Sequence, residues 1–307
     1  MSGEPPVSVV RRVLFDGELM QVAHVVARPL SAEGGEVEAS DMNALALPLA
    51  GVFTKHDGPR QHAVATPNHA VFISAGKPYR IGFPGRIGDR CLVLRFSSAA
   101  LARVMPEAMA GDGLDTSVLA GRAFLPPAAM LARSQLWARL QRGDVDALEV
   151  EELGIGLLDA ALSVARGKRD ARSLAAPGDP GRRWRQIERV KEAIAVQPER
   201  KWTLSDLADI ACVTPGHLAH VFRAEAGTSV YRYVVRSRLA GALDAVLESD
   251  ADLTAIALDA GFASHSHFTA RFRALFGHTP VDLRRVLRGA KGSDLHRIVT
   301  AREVATA

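Results

Sequence analysis

Two rhythms of apolar spacing divide the chain. Up to Phe96 the apolar residues come in short, β-branched runs broken by turn residues; beyond Pro126 they recur every three or four positions. In the first region the runs at 7–14, 20–27, 44–54, 62–66, 70–74 and 91–96 read as strands. Asp16-Gly17, Gly34-Gly35, Asp57-Gly58-Pro59, Pro67-Asn68 and the stretch 85–89 read as the turns between them. Short strands at this spacing predict a small β-barrel or a double-sheet sandwich.

The second region opens with Pro126-Pro127 and an apolar stripe of Leu131, Leu136, Trp137 and Leu140 along 128–142. A further stripe of Leu153, Leu157, Leu158, Ala161 and Leu162 runs along 150–165. Two helices are predicted, which either pack on the strands or form a subunit interface. Residues 167–181 are polar and interrupted by Pro and Gly, as a flexible linker would be. Beyond Arg288 little pattern remains, and a loosely docked or disordered tail is expected.

Between linker and tail the sequence repeats. At an offset of 49, Thr203-Leu204-Ser205-Asp206-Leu207-Ala208 falls on Asp252-Leu253-Thr254-Ala255-Ile256-Ala257, and Ala211-Cys212-Val213 on Ala260-Gly261-Phe262. After one inserted residue, Leu218, Phe222, Arg223-Ala224 and Gly227 fall on Phe268, Phe272, Arg273-Ala274 and Gly277. Such a repeat constrains the fold before any motif is consulted. Each copy predicts two helices joined by a tight turn. Thr203 caps the first with Asp206 three residues on, Thr214-Pro215 opens the second, and Gly227 ends it. Opposite the apolar face lie Gly216, His217, Ala219, His220 and Arg223 in one copy, and His265, Ser266, Thr269 and Arg273 in the other. No acid falls between Asp209 and Glu225, or between Asp259 and Asp282, as a surface meeting phosphates requires. A single copy would equally suit a helical bundle with a solvated face; two matched copies favour a pair of helix-turn-helix units. The pattern at 230–248 predicts a continuous spacer helix of roughly 28 Å, close to the ~34 Å between successive major-groove faces.

Residues 204–284 resemble the DNA-binding domain of the AraC/XylS family of transcription regulators. The resemblance is carried by Leu207-Ala208, Thr214-Pro215, His217-Leu218, Phe222-Arg223, Gly227, Tyr233, Arg238-Leu239, Gly261-Phe262, His267-Phe268, Phe272-Arg273, Gly277, Thr279-Pro280 and Arg284. It implies a bipartite reader whose two recognition helices enter adjacent major grooves. Bases would be read from 216–220 and 265–269, by Gly216, His217, Ala219, His220, His265, Ser266 and Thr269. Phosphates would be met by arginines such as Arg223, Arg238, Arg273 and Arg284, and Thr214, Ser264 and Arg271 would also belong to the DNA-binding surface. The chain departs from the family at Cys212, where a turn glycine is usual, and at Ala270, where an arginine is frequent.

The same resemblance extends to the first region, where Asn68-His69-Ala70-Val71-Phe72 and Ala75-Gly76-Lys77-Pro78-Tyr79-Arg80 are similar to part of a cupin-like sensor domain. The expected fold class is therefore α+β and multidomain. A cupin-like barrel or sandwich spans 1–97, a helical connector and dimerisation region 98–166 and a linker 167–181. An all-α domain with two helix-turn-helix motifs spans 182–290, and a tail 291–307. A small effector would bind inside the barrel, with Phe53, His62, Phe72 and Arg95 as candidate contacts. Promoter DNA, a second copy of the chain and RNA polymerase are the partners this scheme admits.

Charge and chemistry narrow the picture. The net charge is only +4, but 182–290 holds 16 Lys/Arg against 12 Asp/Glu, the whole of that excess. Two distant cysteines, Cys91 and Cys212, offer no metal spacing and read as inert thiols. The start lacks the marks of a signal peptide, and no apolar run reaches membrane-spanning length, so a cytoplasmic location is expected. A metal-dependent cupin enzyme with an accessory DNA-binding tail is the competing reading. It would need converging ligands, yet His24, His56, His62 and His69 form no His-x-His pair, and no glutamate lies between Glu38 and Glu107. No cofactor, metal or catalytic residue is expected.

Overall fold

A computed structural model describes residues 7–30, 35–58, 61–106, 121–143, 145–173 and 180–289. Ten strands come first, nearly without interruption: β1 (Val7–Asp16), β2 (Met20–Pro29), β3 (Val37–Ala39), β4 (Asn43–Gly51), β5 (Phe53–Gly58), β6 (Gln61–Ala65), β7 (His69–Ile73), β8 (Pro78–Gly82), β9 (Asp89–Phe96) and, after helix α1 (Ser98–Val104), β10 (Arg122–Phe124). They form two sheets. One runs β1-β2-β9-β4-β7-β10 and the other β3-β8-β5-β6, with every ladder antiparallel.

Neither sheet closes on itself. The six-stranded sheet ends at β1 and at the three-residue β10, the four-stranded sheet at β3 and β6, and among the described residues no ladder joins these edges. The expected cupin-like barrel or sandwich is thus corrected to two open sheets. Alternation along a strand reports which faces are buried, not whether the last strand meets the first. What covers the larger sheet is helical. Helices α2 (Pro127–Arg142) and α3 (Ala147–Ser173) lie over it, so that Leu45, Leu47, Leu92 and Leu94 share one core with Leu136, Trp137, Leu157 and Leu158. The opposite face of the sheet meets the smaller sheet through only a small cluster that includes Ala46, Phe53, Val71 and Cys91.

Residues 44–54 break into two strands because Gly51 holds φ +80° where the chain leaves one sheet for the other. A Cβ at Gly51 would fall 2.0 Å from the Gly88 carbonyl oxygen. Pro48, inside central β4, sits at a register shift between Pro48 and Ala50, where the missing N–H does least harm. Its carbonyl accepts from Arg133 Nη1 at 2.6 Å.

The C-terminal half is α4 (Pro180–Val196), α5 (Leu204–Ala211), α6 (Pro215–Ala226), α7 (Val230–Glu248), α8 (Leu253–Asp259), α9 (His265–Phe276) and α10 (Pro280–Gly289). Helix α3 continues to Ser173, into the stretch read as a linker, and α4 begins at Pro180. The tail beyond 289 lies outside the described residues. The first helix pair packs with α4 in a core of Ile187, Val190, Leu207, Leu218, Phe222 and Tyr233. The second pair instead joins the large core through Phe268, Phe272 and Phe276.

Polar contacts tie α4 to the strands, and α7 to the turns beside them and to α2. Glu188, with no exposed surface, accepts from Arg122 at 2.5 and 2.7 Å, from the Val64 amide at 3.0 Å and from Lys191 at 3.1 Å. Asn68 donates to Ser237 at 3.1 Å, and Arg236 donates to the Leu125 carbonyl. Ser134 donates to Asp244 at 2.5 Å, while fully buried Arg133 lies 3.7 Å from the other oxygen of that carboxylate. Among the described residues no helix is long and apolar enough to cross a membrane.

Candidate nucleic-acid interface and effector cavity

The second helices of the two copies start and end alike, whereas the first differ, Asp252 making no side-chain cap for α8. In the first copy, Thr203 accepts from the Asp206 amide while Asp206 accepts from the Thr203 amide, a reciprocal cap that starts α5. Thr214 accepts from the His217 amide at 3.3 Å and starts α6, with Pro215 in its first turn. Leu218, Val221 and Phe222 are buried, which turns Gly216, His217, Ala219, His220 and Arg223 to solvent. In the second copy Ser264 accepts from the His267 amide at 3.2 Å and starts α9. Phe268 and Phe272 are buried, and Ser266, Ala270, Arg271 and Arg273 are exposed. His265 and Thr269 are half-buried and face one another at 3.4 Å. The two helices hold one acid between them, the half-buried Glu225 in the last turn of α6, so each outward face presents donors and positive charge.

The arginines grouped by sequence separate in space. Arg223, Arg271 and Arg273 stand on the outward faces. Arg238 donates to the carbonyls of Pro198 at 2.7 Å, Gly261 at 2.8 Å and Arg200 at 2.8 Å, which pins the second turn to the loop before α5. Arg284 donates to the carbonyls of Val246 and Ala251 at 2.8 and 3.1 Å. These two guanidiniums are occupied by backbone within the fold. Tyr231, at the start of α7 and 55% exposed, carries the Arg271 guanidinium over its ring at 5.8 Å. No offset in the repeat reveals Tyr231, because it lies between the copies.

A second feature lies between the sheets, a cavity of about 530 Å³. Its wall includes Phe53 and Arg95, while Phe72 packs in the core on the helical side and His62 stacks with His56 at 5.5 Å. Lys55, Tyr79, Asp89 and Cys91 also line it, and sequence reading passed over them. The signal was present in β9, where Asp89, Cys91, Val93 and Arg95 alternate onto one face. Cys91 donates to Asp89 at 2.8 Å. Burial raises the Asp89 carboxyl to about 6, only partly offset by that thiol. Burial also pushes the Cys91 thiol well up, reinforced by the adjacent carboxylate.

The four histidines considered as metal ligands are scattered. His24 lies against Trp137 at 4.6 Å and His69 meets Thr66 at 3.0 Å, apart from the His56–His62 stack. Among the described residues no group of three or more His, Cys, Asp or Glu could hold a metal ion.

Residues 207–286 match the family described as "Helix-turn-helix domain". The XylDLEGF operon transcriptional activator of Pseudomonas putida is 30% identical over 137 residues, 43% of this chain and 41% of that protein. The HTH-type transcriptional regulator GlxA of Rhizobium meliloti is 34% identical over 99 residues, 32% of this chain and 29% of that protein. The chain thus spans less than half the length of these curated relatives. A crystal structure of a transcriptional regulator with an AraC-type DNA-binding domain from Chromobacterium violaceum aligns with 35% of this chain and 96% of that one, at 22% identity and a TM-score of 0.33.

Proposed function

We propose that the chain is a sequence-specific DNA-binding transcription regulator of the AraC type, controlled by a small effector held between its two sheets. One observation carries the first half: two outer helices, each started by a hydroxyl cap and ended by a left-handed glycine, present acid-free outer faces at the two ends of one nineteen-residue helix. A polar, positively charged helix face with no carboxylate suits a major groove, and a rigid spacer suits two successive grooves. In this reading Gly216, His217, His220 and Ser266 meet base edges, and Arg223, Arg271 and Arg273 meet phosphates, a reading supported by their exposure on the outward faces. Thr214 and Ser264 serve as caps, and in this reading the helix ends they start face the phosphates.

The effector half rests on the cavity, whose apolar wall and few polar groups suit a small molecule. Contacts from β6 to α4, and from the turn before β7 and α2 to α7, give its occupancy a route to both helix pairs. A dimer through the connector helices and contact with RNA polymerase are further parts of the proposal. In this scheme the chain acts by occupying DNA rather than by catalysis.

Selection of bound genomic fragments, followed by footprinting, tests the reading. Arg223→Ala should weaken binding to all sequences alike and lower the salt slope by about 1. His220→Ala should cost about 1–3 kcal/mol at its own base positions only. Wild-type footprints from both variants, or no preference over random competitor, would overturn the assignment.

A further inference from the structure

The cavity has a polarity of its own. Asp89 and Arg95, at the two ends of the wall that β9 supplies, are six residues apart, roughly 20 Å along a strand. Between them the surface is Val25, Ala44, Ala46, Val71, Ile73 and Val93. The facing wall belongs to β5 and β8, and from it Lys55 enters the cavity. Its side chain is only 4% exposed, and its ammonium lies 5.7 Å from the centre of the Tyr79 ring.

Two cations of the wall, Lys55 and Arg95, have lopsided ion pairs. Lys55 is paired with Asp57, which is 32% exposed and is not part of the cavity wall. Arg95, 15% exposed, is paired with Asp41, which is 80% exposed at the mouth. In both pairs the cation is inside and the acid is in water. A carboxylate arriving from within could take the place of Asp57 without leaving a buried charge unpaired, since the displaced acid is already partly hydrated. Glu38, also on the wall, accepts from the Tyr79 hydroxyl at 3.1 Å and is held at the rim. At the far end Asp89 already accepts the Cys91 thiol and needs no cation.

We infer that the cavity takes a predominantly apolar molecule with one anionic end, seated with its acid on Lys55 and its body along β9. The inference rests on the reading of this cavity as the effector site and adds the chemical class of the effector.

Three rigid probes of one shape test it on the full chain by calorimetry: 2-naphthoate, naphthalene-2-methanol and 2-naphthylmethylammonium. The acid should bind at least tenfold more tightly than the alcohol or the amine. Lys55→Met should abolish that preference while leaving the alcohol's affinity unchanged, and Asp57→Asn should tighten the acid further. Equal binding of acid and alcohol, tighter binding of the amine, or a preference that survives Lys55→Met would overturn the anionic class while leaving a ligand site. If none of the three binds, the inference and the effector reading of the cavity fail together. Circular dichroism of Lys55→Met guards against simple unfolding; if that variant is unfolded, Asp57→Asn decides, and an unchanged or weaker affinity for the acid overturns the inference.

Discussion

Cys212 and Gly261 occupy the same place in the two helix pairs, and both hold a positive φ, 54° and 80°. Glycine adopts that conformation freely, whereas a residue with a Cβ is strained there by roughly 1–2 kcal/mol. Cys212→Gly should therefore raise stability, by up to about 1 kcal/mol once the greater freedom of the unfolded chain is counted. Gly261→Ala should lower it by more, because the new Cβ would lie 2.6 Å from Glu199 Cα and carbonyl oxygen as well as in a strained backbone. Urea denaturation of both variants checks the pair, and a destabilised Cys212→Gly would refute the account. Asp89 supplies a titration. Its carboxyl is raised by burial from 3.8 to about 6, so the folded chain favours the neutral form. The associated stability is present below about pH 4 and lost as the pH climbs to about 6, a loss of order 3 kcal/mol. Asp89→Asn should flatten stability across that window, and an unchanged pH profile would refute the assignment.

At the scale of elements, α4 is the helix whose place depends most on one group. Burial would raise the Glu188 carboxyl, but the charges of Arg122 and Lys191 and the hydrogen bonds from Arg122 and the Val64 amide outweigh it and hold it at about 2. A carboxyl depressed in this way adds stability that is complete above about pH 4.5 and disappears as the pH falls towards 2, the opposite sense to Asp89. Glu188→Gln leaves Arg122 buried with no acid, a change that typically costs about 3–5 kcal/mol. Hydrogen exchange should then speed up in α4 and β6 and remain unchanged in α9, whose phenylalanines belong to the other core. Uniform acceleration across both helix pairs would contradict this division. Elements of this kind were readable to different depths. The C-terminal helices and their caps were legible because Thr203, Thr214 and Gly227 act within a few residues of themselves. The barrel was misread because closure depends on strand edges far apart in sequence. Neither β3, β8 nor β10 announced itself, since runs of three to five residues carry too little periodicity. Arg238 and Arg284 looked like surface charge because nothing local reveals the distant carbonyls they reach.

Across the whole molecule, α7 is where the parts converge. It separates the two helix pairs, and the same nineteen residues carry Arg236, Ser237 and Asp244 to the Leu125 carbonyl, Asn68 and Ser134. Adding one residue in its middle would twist everything downstream by about 100° and advance it by about 1.5 Å. Such an insertion would swing Asp244 away from its seat on α2 and, on the proposed function, throw the second helix pair out of phase with the duplex. On the proposed function the length of this rod is set twice over, by the pitch of the nucleic acid and by the body it rests on.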